Sequence, residues 1–172
     1  MRDPRRRHTS LLALSLFATI GLAVPELAKP LPLIVYNPSA SAPLGFYRVH
    51  PDEPISKGDL VLAHLPEAAA RLAANRGYLP LSVPVVKRVA ALAGDLVCAD
   101  SGIVVLNDRV AADTLLIDRE GRPLPAWHGC RVLTPDEVFL LTEDVPASFD
   151  GRYFGPISSS SVIGKLVPLW TW

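Results

Sequence analysis

With 172 residues, the chain has room for one domain and at most a small insertion. Its 17 basic and 17 acidic side chains cancel, and the basic residues beyond the N-terminus are scattered with no stripe interleaved with aromatics, which excludes a nucleic-acid footprint. Two cysteines far apart and four histidines without metal-ligand spacing, His8, His50, His64 and His128, exclude a self-contained zinc site, and no metal or cofactor is expected.

The 49% hydrophobic content is partly inflated by the N-terminus, where Arg2, Arg5, Arg6 and Arg7 precede an uncharged apolar run from Leu11 to Val24. At about 14–17 residues the run is short for a membrane helix, which needs about 17–25. It is the right length for the apolar region of a signal peptide, so the two readings compete, with a buried core helix as the third. No Ala-x-Ala follows it, and the small-x-small site Gly21-Leu22-Ala23 lies inside it, which favours an uncleaved signal anchor over 9–25. Residues 1–8 carry four arginines against one aspartate, a net of +3, which leaves −3 for the remainder. Arginines ahead of the run keep 1–8 cytoplasmic and export 26–172.

Pro25, Pro30 and Pro32 then make a stiff connector. Val24 to Ser41 spans 17 residues, a reach of at most about 55–60 Å, which keeps Ser41 near a membrane surface. Leu33–Tyr36 and Leu44–Val49 read as strands. Lys57-Gly58-Asp59-Leu60-Val61 and Ala93-Gly94-Asp95-Leu96-Val97 each place Gly-Asp at a turn and launch a strand. Between them, Pro66 to Arg76 reads as a helix, with Pro66 at its first position, Glu67 complementing the dipole and Gly77 stopping it. Further strands are expected at Val85–Ala91, Leu96–Ala99, Ile103–Leu106, Val110–Ala112, Leu115–Ile117, Val132–Leu133, Val138–Thr142 and Val162–Leu166. Asn107-Asp108 and Glu120-Gly121 supply hairpin turns. Many short strands with Gly/Pro turns argue for a mainly β, compact barrel or sandwich-like fold. In an exported, oxidising compartment Cys98 and Cys130 are expected to pair rather than remain buried thiols. The bridge would close 32 residues and be worth about 3–4 kcal/mol; it would tie back a hairpin excursion from Asp100 to Cys130.

Three stretches carry chemistry only when taken together. Asn37-Pro38-Ser39-Ala40-Ser41-Ala42-Pro43-Leu44-Gly45-Phe46-Tyr47 puts a serine on a turn fixed by Pro43, with Gly45 permitting close backbone approach. Val85-Val86-Lys87-Arg88-Val89 puts Lys87 between two valines on one strand face and Arg88 on the other. A lysine so placed is poorly solvated, and its pKa falls toward the range where it is neutral near pH 7; the alternative is an edge lysine snorkelling to water. Ser148-Phe149-Asp150-Gly151-Arg152-Tyr153-Phe154-Gly155 is a compact Ser-x-Asp-x-Arg turn, whose alternative is a solvated surface turn. Serine and lysine can form a nucleophile–base pair in acyl transfer. A Ser–His–Asp triad using His64 or His128 is formally open, but neither histidine sits in a motif.

In order and character the three stretches resemble the signal peptidase family, and within it the TraF-type peptidases of conjugative transfer systems. The resemblance covers residues 36–48, 84–98 and 146–165 closely and the rest in outline. Ala42 stands where general signal peptidases carry methionine, which points to the TraF-type branch. The resemblance implies a compact β-barrel-type catalytic domain of the kind signal peptidases share with LexA-like self-cleaving repressors. Residue by residue, it implies Ser41 as nucleophile, Lys87 as base, and the Ser39 hydroxyl with the Ser41 N–H as oxyanion donors. Ser148 would orient the lysine amine, and Asp150 and Arg152 would form an ion pair that also engages Arg88. Gly151 stands where a serine is common.

The activity implied is that of a membrane-anchored serine endopeptidase processing leader or tail segments of pre-pilins or secretory preproteins. Its place would be a bacterial inner membrane, single-pass, with the catalytic domain periplasmic. Resolution of the acyl-enzyme by the substrate's own amino terminus would give a cyclic pilin. The other readings are a general type I signal peptidase and a non-catalytic anchored scaffold of pilus assembly.

Overall fold

The computed structural model describes residues 33–172 and four positions of the N-terminal segment, Leu14, Ser15, Phe17 and Thr19, which are helical. The chain divides into two units, Met1–Pro32 and Leu33–Trp172. Among the described residues no helix is long and apolar enough to cross a membrane. The anchor expected over 9–25 lies outside them apart from those four positions.

The second unit is mainly β. Its strands are β1 (Ile34–Asn37), β2 (Gly45–His50), β3 (Leu60–Ala63), β4 (Val85–Ala91), β5 (Leu96–Asp100), β6 (Ile103–Leu106), β7 (Arg109–Asp113), β8 (Gly129–Val132), β9 (Glu137–Leu140), β10 (Ile157–Ser158) and β11 (Val162–Thr171). They form a seven-stranded antiparallel sheet in the order β1-β2-β11-β3-β4-β9-β10 and a four-stranded one in the order β7-β6-β5-β8. The edges β1 and β10 of the larger sheet are not paired with each other, so the expected barrel is an open half-barrel. Two helices accompany the sheets: α1 (Glu67–Asn75) and the single turn α2 (Gly151–Phe154).

Local chemistry accounts for much of this. In β2, Gly45, Tyr47 and Val49 are buried and alternate with outward Phe46 and Arg48. The two Gly-Asp turns are built alike. Asp59 accepts from the Ser56 N–H at 2.8 Å and Asp95 from the Leu92 N–H at 2.9 Å, and Lys57 joins the pair by a 3.0 Å bridge to Asp95. Asn107 and Asp108 take φ of 47° and 67°, the mirror-image two-residue turn that matches strand twist between β6 and β7. Pro66 stands one position before the first residue of α1, at its N-cap without a side-chain capping bond, and α1 turns Ala69 and Ala73 inward, one helical turn apart.

Several expectations need correction. Leu115–Ile117 is not a strand; Ile117 makes one isolated bridge to Pro123, in a loop closed by Asp118, which accepts from the Glu120 and Arg122 N–H groups, both at 2.9 Å. With no partner strand alongside, those three apolar residues stay exposed. The strand expected at Val132–Leu133 runs instead over Gly129–Val132, where it pairs β5 with Cys98 directly opposite Cys130. The disulfide joins these two residues as expected and ties back the 100–130 excursion, whose β6–β7 hairpin extends into a four-stranded sheet with β5 and β8. The last strand is ten residues long, not five, because it pairs with β2 along one edge and β3 along the other. Pro168, which argues against a long strand in the sequence, sits at the register shift where a missing N–H is tolerated.

Three apolar clusters hold the unit together. Val97, Ala99, Val104, Leu106 and Ala112 of the smaller sheet pack on Phe139 and Leu141. Val61, Val89, Val138, Leu140 and Ile157 fill the space between β3, β4, β9 and β10. Tyr47, Val49, Leu62 and Leu166 join β2, β11 and β3. Each fully buried Leu, Val or Phe contributes about 1.5–3 kcal/mol relative to exposure.

Candidate active site

The loop from Pro38 to Leu44 joins β1 to β2, and Ser41 stands within it. It is held from beneath. Tyr47, fully buried on β2, donates its hydroxyl to Pro43 O at 2.6 Å. Asn37, at the end of β1, donates to Ser39 O, Ala42 O and Pro43 O at 2.9, 3.1 and 3.2 Å. Gly45 opens β2 with φ 144°, and a Cβ there would lie 2.1 Å from Trp170 O. Glycine is what lets β2 pass this close to β11.

Lys87 lies on the interior strand β4, opposite Val61 of β3. Its side chain shares the buried face with Val89, and the residue is 4% exposed. The amine lies 2.8 Å from Ser41 Oγ and 2.7 Å from Ser148 Oγ. Burial lowers the Lys87 pKa to about 8; the Asp150 carboxylate opposes this and the Arg152 guanidinium assists it. A neutral lysine amine at hydrogen-bond distance from a hydroxyl can take its proton.

Ser148 is buried at the end of the 142–148 loop, and Arg152 holds that loop in place. One guanidinium nitrogen, Nη2, donates to Thr142 O at 2.8 Å, Val145 O at 2.9 Å and Asp150 Oδ2 at 2.8 Å. Nη1 reaches Asp113 O at 3.2 Å and Pro146 O at 3.4 Å, and Nε reaches Asp150 Oδ1 at 2.9 Å. Asp150 also caps α2 and accepts from the Thr142 N–H at 3.1 Å. The pair is 0% and 1% exposed, which excludes the solvated-turn alternative. Gly151 leaves no room for a side chain, since a Cβ would lie 2.6 Å from Leu140 O and 2.7 Å from the Phe139 ring.

Two expected partners lie elsewhere. Arg88 does not engage Asp150; it is exposed and donates to Gly58 O. The strand alternation that buries Lys87 turns Arg88 to the opposite face, whereas Asp150 is buried beside Arg152 and the β9–α2 loop. Ser39, expected as an oxyanion donor, has its hydroxyl donated to Asn37 Oδ1 at 2.8 Å. Among the described residues neither His64 nor His128, both exposed, hydrogen-bonds Ser41. Sequence reasoning assigned no role to Asn37 or to the Tyr47 hydroxyl. The available signal was a polar residue in phase with the buried face of β1.

A conserved-domain profile described as signal peptidase, peptidase S26, matches residues 6–171. The chain belongs to that family. It is 34% identical over 146 residues to the plasmid transfer protein TraF of Escherichia coli, covering 79% of this chain and 82% of the relative. The conjugal transfer protein TraF of Agrobacterium fabrum is 36% identical over 144 residues, covering 78% and 81%. These relatives make it a TraF-type member of the family. A signal peptidase I crystal structure from Enterococcus faecalis aligns with 67% of this chain and 98% of its own, at a TM-score of 0.40 and 18% identity.

Proposed function

We propose that the chain is a membrane-anchored serine endopeptidase with a Ser41–Lys87 pair, acting on pre-pilin or secretory preproteins at the periplasmic face of a bacterial inner membrane. The observation that carries the reading is the buried Lys87 amine, 2.8 Å from Ser41 Oγ and 2.7 Å from Ser148 Oγ. Neutral Lys87 takes the Ser41 proton as Oγ attacks the scissile carbonyl, and gives it to the departing amine as the C–N bond breaks. Water then attacks the acyl-enzyme, Lys87 takes its proton, and Ser41 is regenerated. Ser148 holds the amine toward Ser41. Ser39 and the Ser41 N–H serve the oxyanion, the Ser39 hydroxyl turning from Asn37 to do so. Signal-anchor topology over 9–25 and the arginines before it support the location. The conjugal and plasmid transfer names of the relatives support a role in conjugative transfer.

The test is cleavage by the full chain in proteoliposomes, offered a pilin precursor from a conjugative system and a secretory preprotein with an Ala-x-Ala leader junction. Product masses give the cut site and separate hydrolysis, which consumes one water, from cyclisation, whose product is one water lighter than the hydrolysed one. Ser41→Ala and Lys87→Met should each abolish cleavage, with the pilin precursor preferred. Wild-type cleavage by Ser41→Ala overturns the mechanism, and no cleavage of either substrate by the wild-type chain favours the scaffold reading.

A further inference from the structure

Asn37 ends β1 and is 2% exposed despite its polar side chain. Alternation along the strand puts Asn37 in phase with Val35, and Ile34 and Tyr36 outward. Its Nδ2 is shared among the Ser39, Ala42 and Pro43 carbonyls, and its Oδ1 accepts from the Ser39 N–H at 3.2 Å and the Ser39 hydroxyl at 2.8 Å. A carboxamide offers two N–H groups and two lone pairs, so its whole capacity is spent on one turn. The three carbonyls lie on both sides of Ser41. Pro38 and Pro43 bring no N–H to this turn, and beyond the turn through Ala40 and Ser41, among the described residues no backbone–backbone hydrogen bond of good geometry closes 38–43 on itself. The Asn37 side chain supplies the internal bonds of good geometry.

We propose that Asn37 is the positioning residue of the nucleophile, its carboxamide curling the 38–43 turn so that Ser41 Oγ meets the Lys87 amine, and its Oδ1 holding the Ser39 hydroxyl. The inference rests on Ser41 being the nucleophile and deepens that reading. Asn37 touches neither reacting atom; it acts through the loop backbone. Losing it therefore impairs attack and leaves substrate binding, made elsewhere, as it was, so kcat falls and KM does not rise. Of the groups around the Lys87 amine, Ser148, Asp150 and Arg152 all stand outside the 38–43 loop, so the pH at which activity rises stays in place. A merely structural residue would lower the folded fraction and leave the labelling rate of the folded chains as it was, whereas a misplaced nucleophile lowers that rate in fully folded protein.

The experiment uses the full chain in detergent micelles: wild type, Asn37→Leu, which keeps the branched shape, Asn37→Ala and Ser41→Ala. Cleavage kinetics of the preprotein are read beside the rate of labelling by an alkyl fluorophosphonate, followed by intact mass. In that labelling the Ser41 Oγ–P bond forms, fluoride leaves and the Ser41 proton passes to Lys87. Misplacing an attacking atom by about 1 Å costs about 100-fold, and a loss of that order is expected in kcat and in labelling for both Asn37 variants. KM and the pH midpoint stay at wild-type values. Wild-type kcat and labelling in Asn37→Leu, a rise in KM at constant kcat, or a moved pH midpoint each overturns the proposal. Loss of cooperative unfolding in both Asn37 variants overturns it in favour of a purely structural role. Ser41→Ala that still cleaves sinks the nucleophile reading itself; Ser41→Ala inactive with Asn37→Leu fully active sinks only the role of Asn37.

Discussion

Replacing Asp150 by alanine should cost stability as well as activity, and the structure sets the size of the loss. The carboxylate is fully buried and the Arg152 guanidinium is 1% exposed, with Nη2 to Oδ2 at 2.8 Å and Nε to Oδ1 at 2.9 Å. In Asp150→Ala the guanidinium keeps the Thr142, Val145, Pro146 and Asp113 carbonyls but loses its counter-charge in a place water does not reach. Leaving one charge of a buried pair uncompensated costs about 3–5 kcal/mol. For a chain of this size each kcal/mol lowers Tm by about 2–4 °C, so a drop of about 6–20 °C is expected. The Thr142 N–H also loses its acceptor, and the 142–148 loop that carries Ser148 loosens with it. Ser41→Ala, which removes one hydroxyl from a loop, should abolish activity and change stability by less than about 1 kcal/mol. The assay is thermal unfolding of both variants by circular dichroism at neutral pH, with cleavage measured alongside. Equal Tm for Asp150→Ala and wild type, with the variant inactive, would show that Asp150 acts in the chemistry and that its structural role is wrong.

Three further outcomes follow from the same geometry. Because only neutral Lys87 serves as base and its pKa lies at about 8, kcat should rise about tenfold between pH 7 and pH 9; a profile flat from pH 5 to pH 10 refutes a lysine base. Reducing the Cys98–Cys130 bridge, which links residues 32 apart, should cost about 3–4 kcal/mol, and a Tm unmoved by reductant shows that the β5–β8 pairing holds without it. Gly45→Ala forces a side chain at φ 144° against Trp170 O, strain of at least about 1–3 kcal/mol; wild-type Tm and wild-type Ser41 labelling in that variant would contradict the close passage of β2 beside β11.

Local information decided a good deal. The β4 boundaries, Val85–Ala91, and the opposite facing of Lys87 and Arg88 are readable from a two-residue period among valines, whereas the burial of Lys87 against the edge-lysine alternative is not. The Gly-Asp turns, the Asn107-Asp108 hairpin and the capped helix Glu67–Asn75 are likewise written in short-range chemistry. The motif residues Ser41, Lys87 and Ser148, spread over more than a hundred positions, were nominated by the resemblance of three short stretches to the signal peptidase family, and the folded chain brings them together.

What needed the tertiary structure was every choice among distant partners. Whether Asp150 takes Arg88 or Arg152 depends on which face of β4 the 150–152 turn packs against, and both arginines look equally available in the sequence. The insertion of β11 between β2 and β3 depends on pairing strands more than a hundred residues apart, and only that pairing tolerates Pro168 and extends the strand to Thr171. Asn37 reads as an ordinary turn former before a proline; its role becomes visible when the turn folds back over it and its buried amide meets three carbonyls. Periodicity determines which way a side chain points, because that is set by the backbone of its own element, whereas what the side chain meets is set by long-range packing.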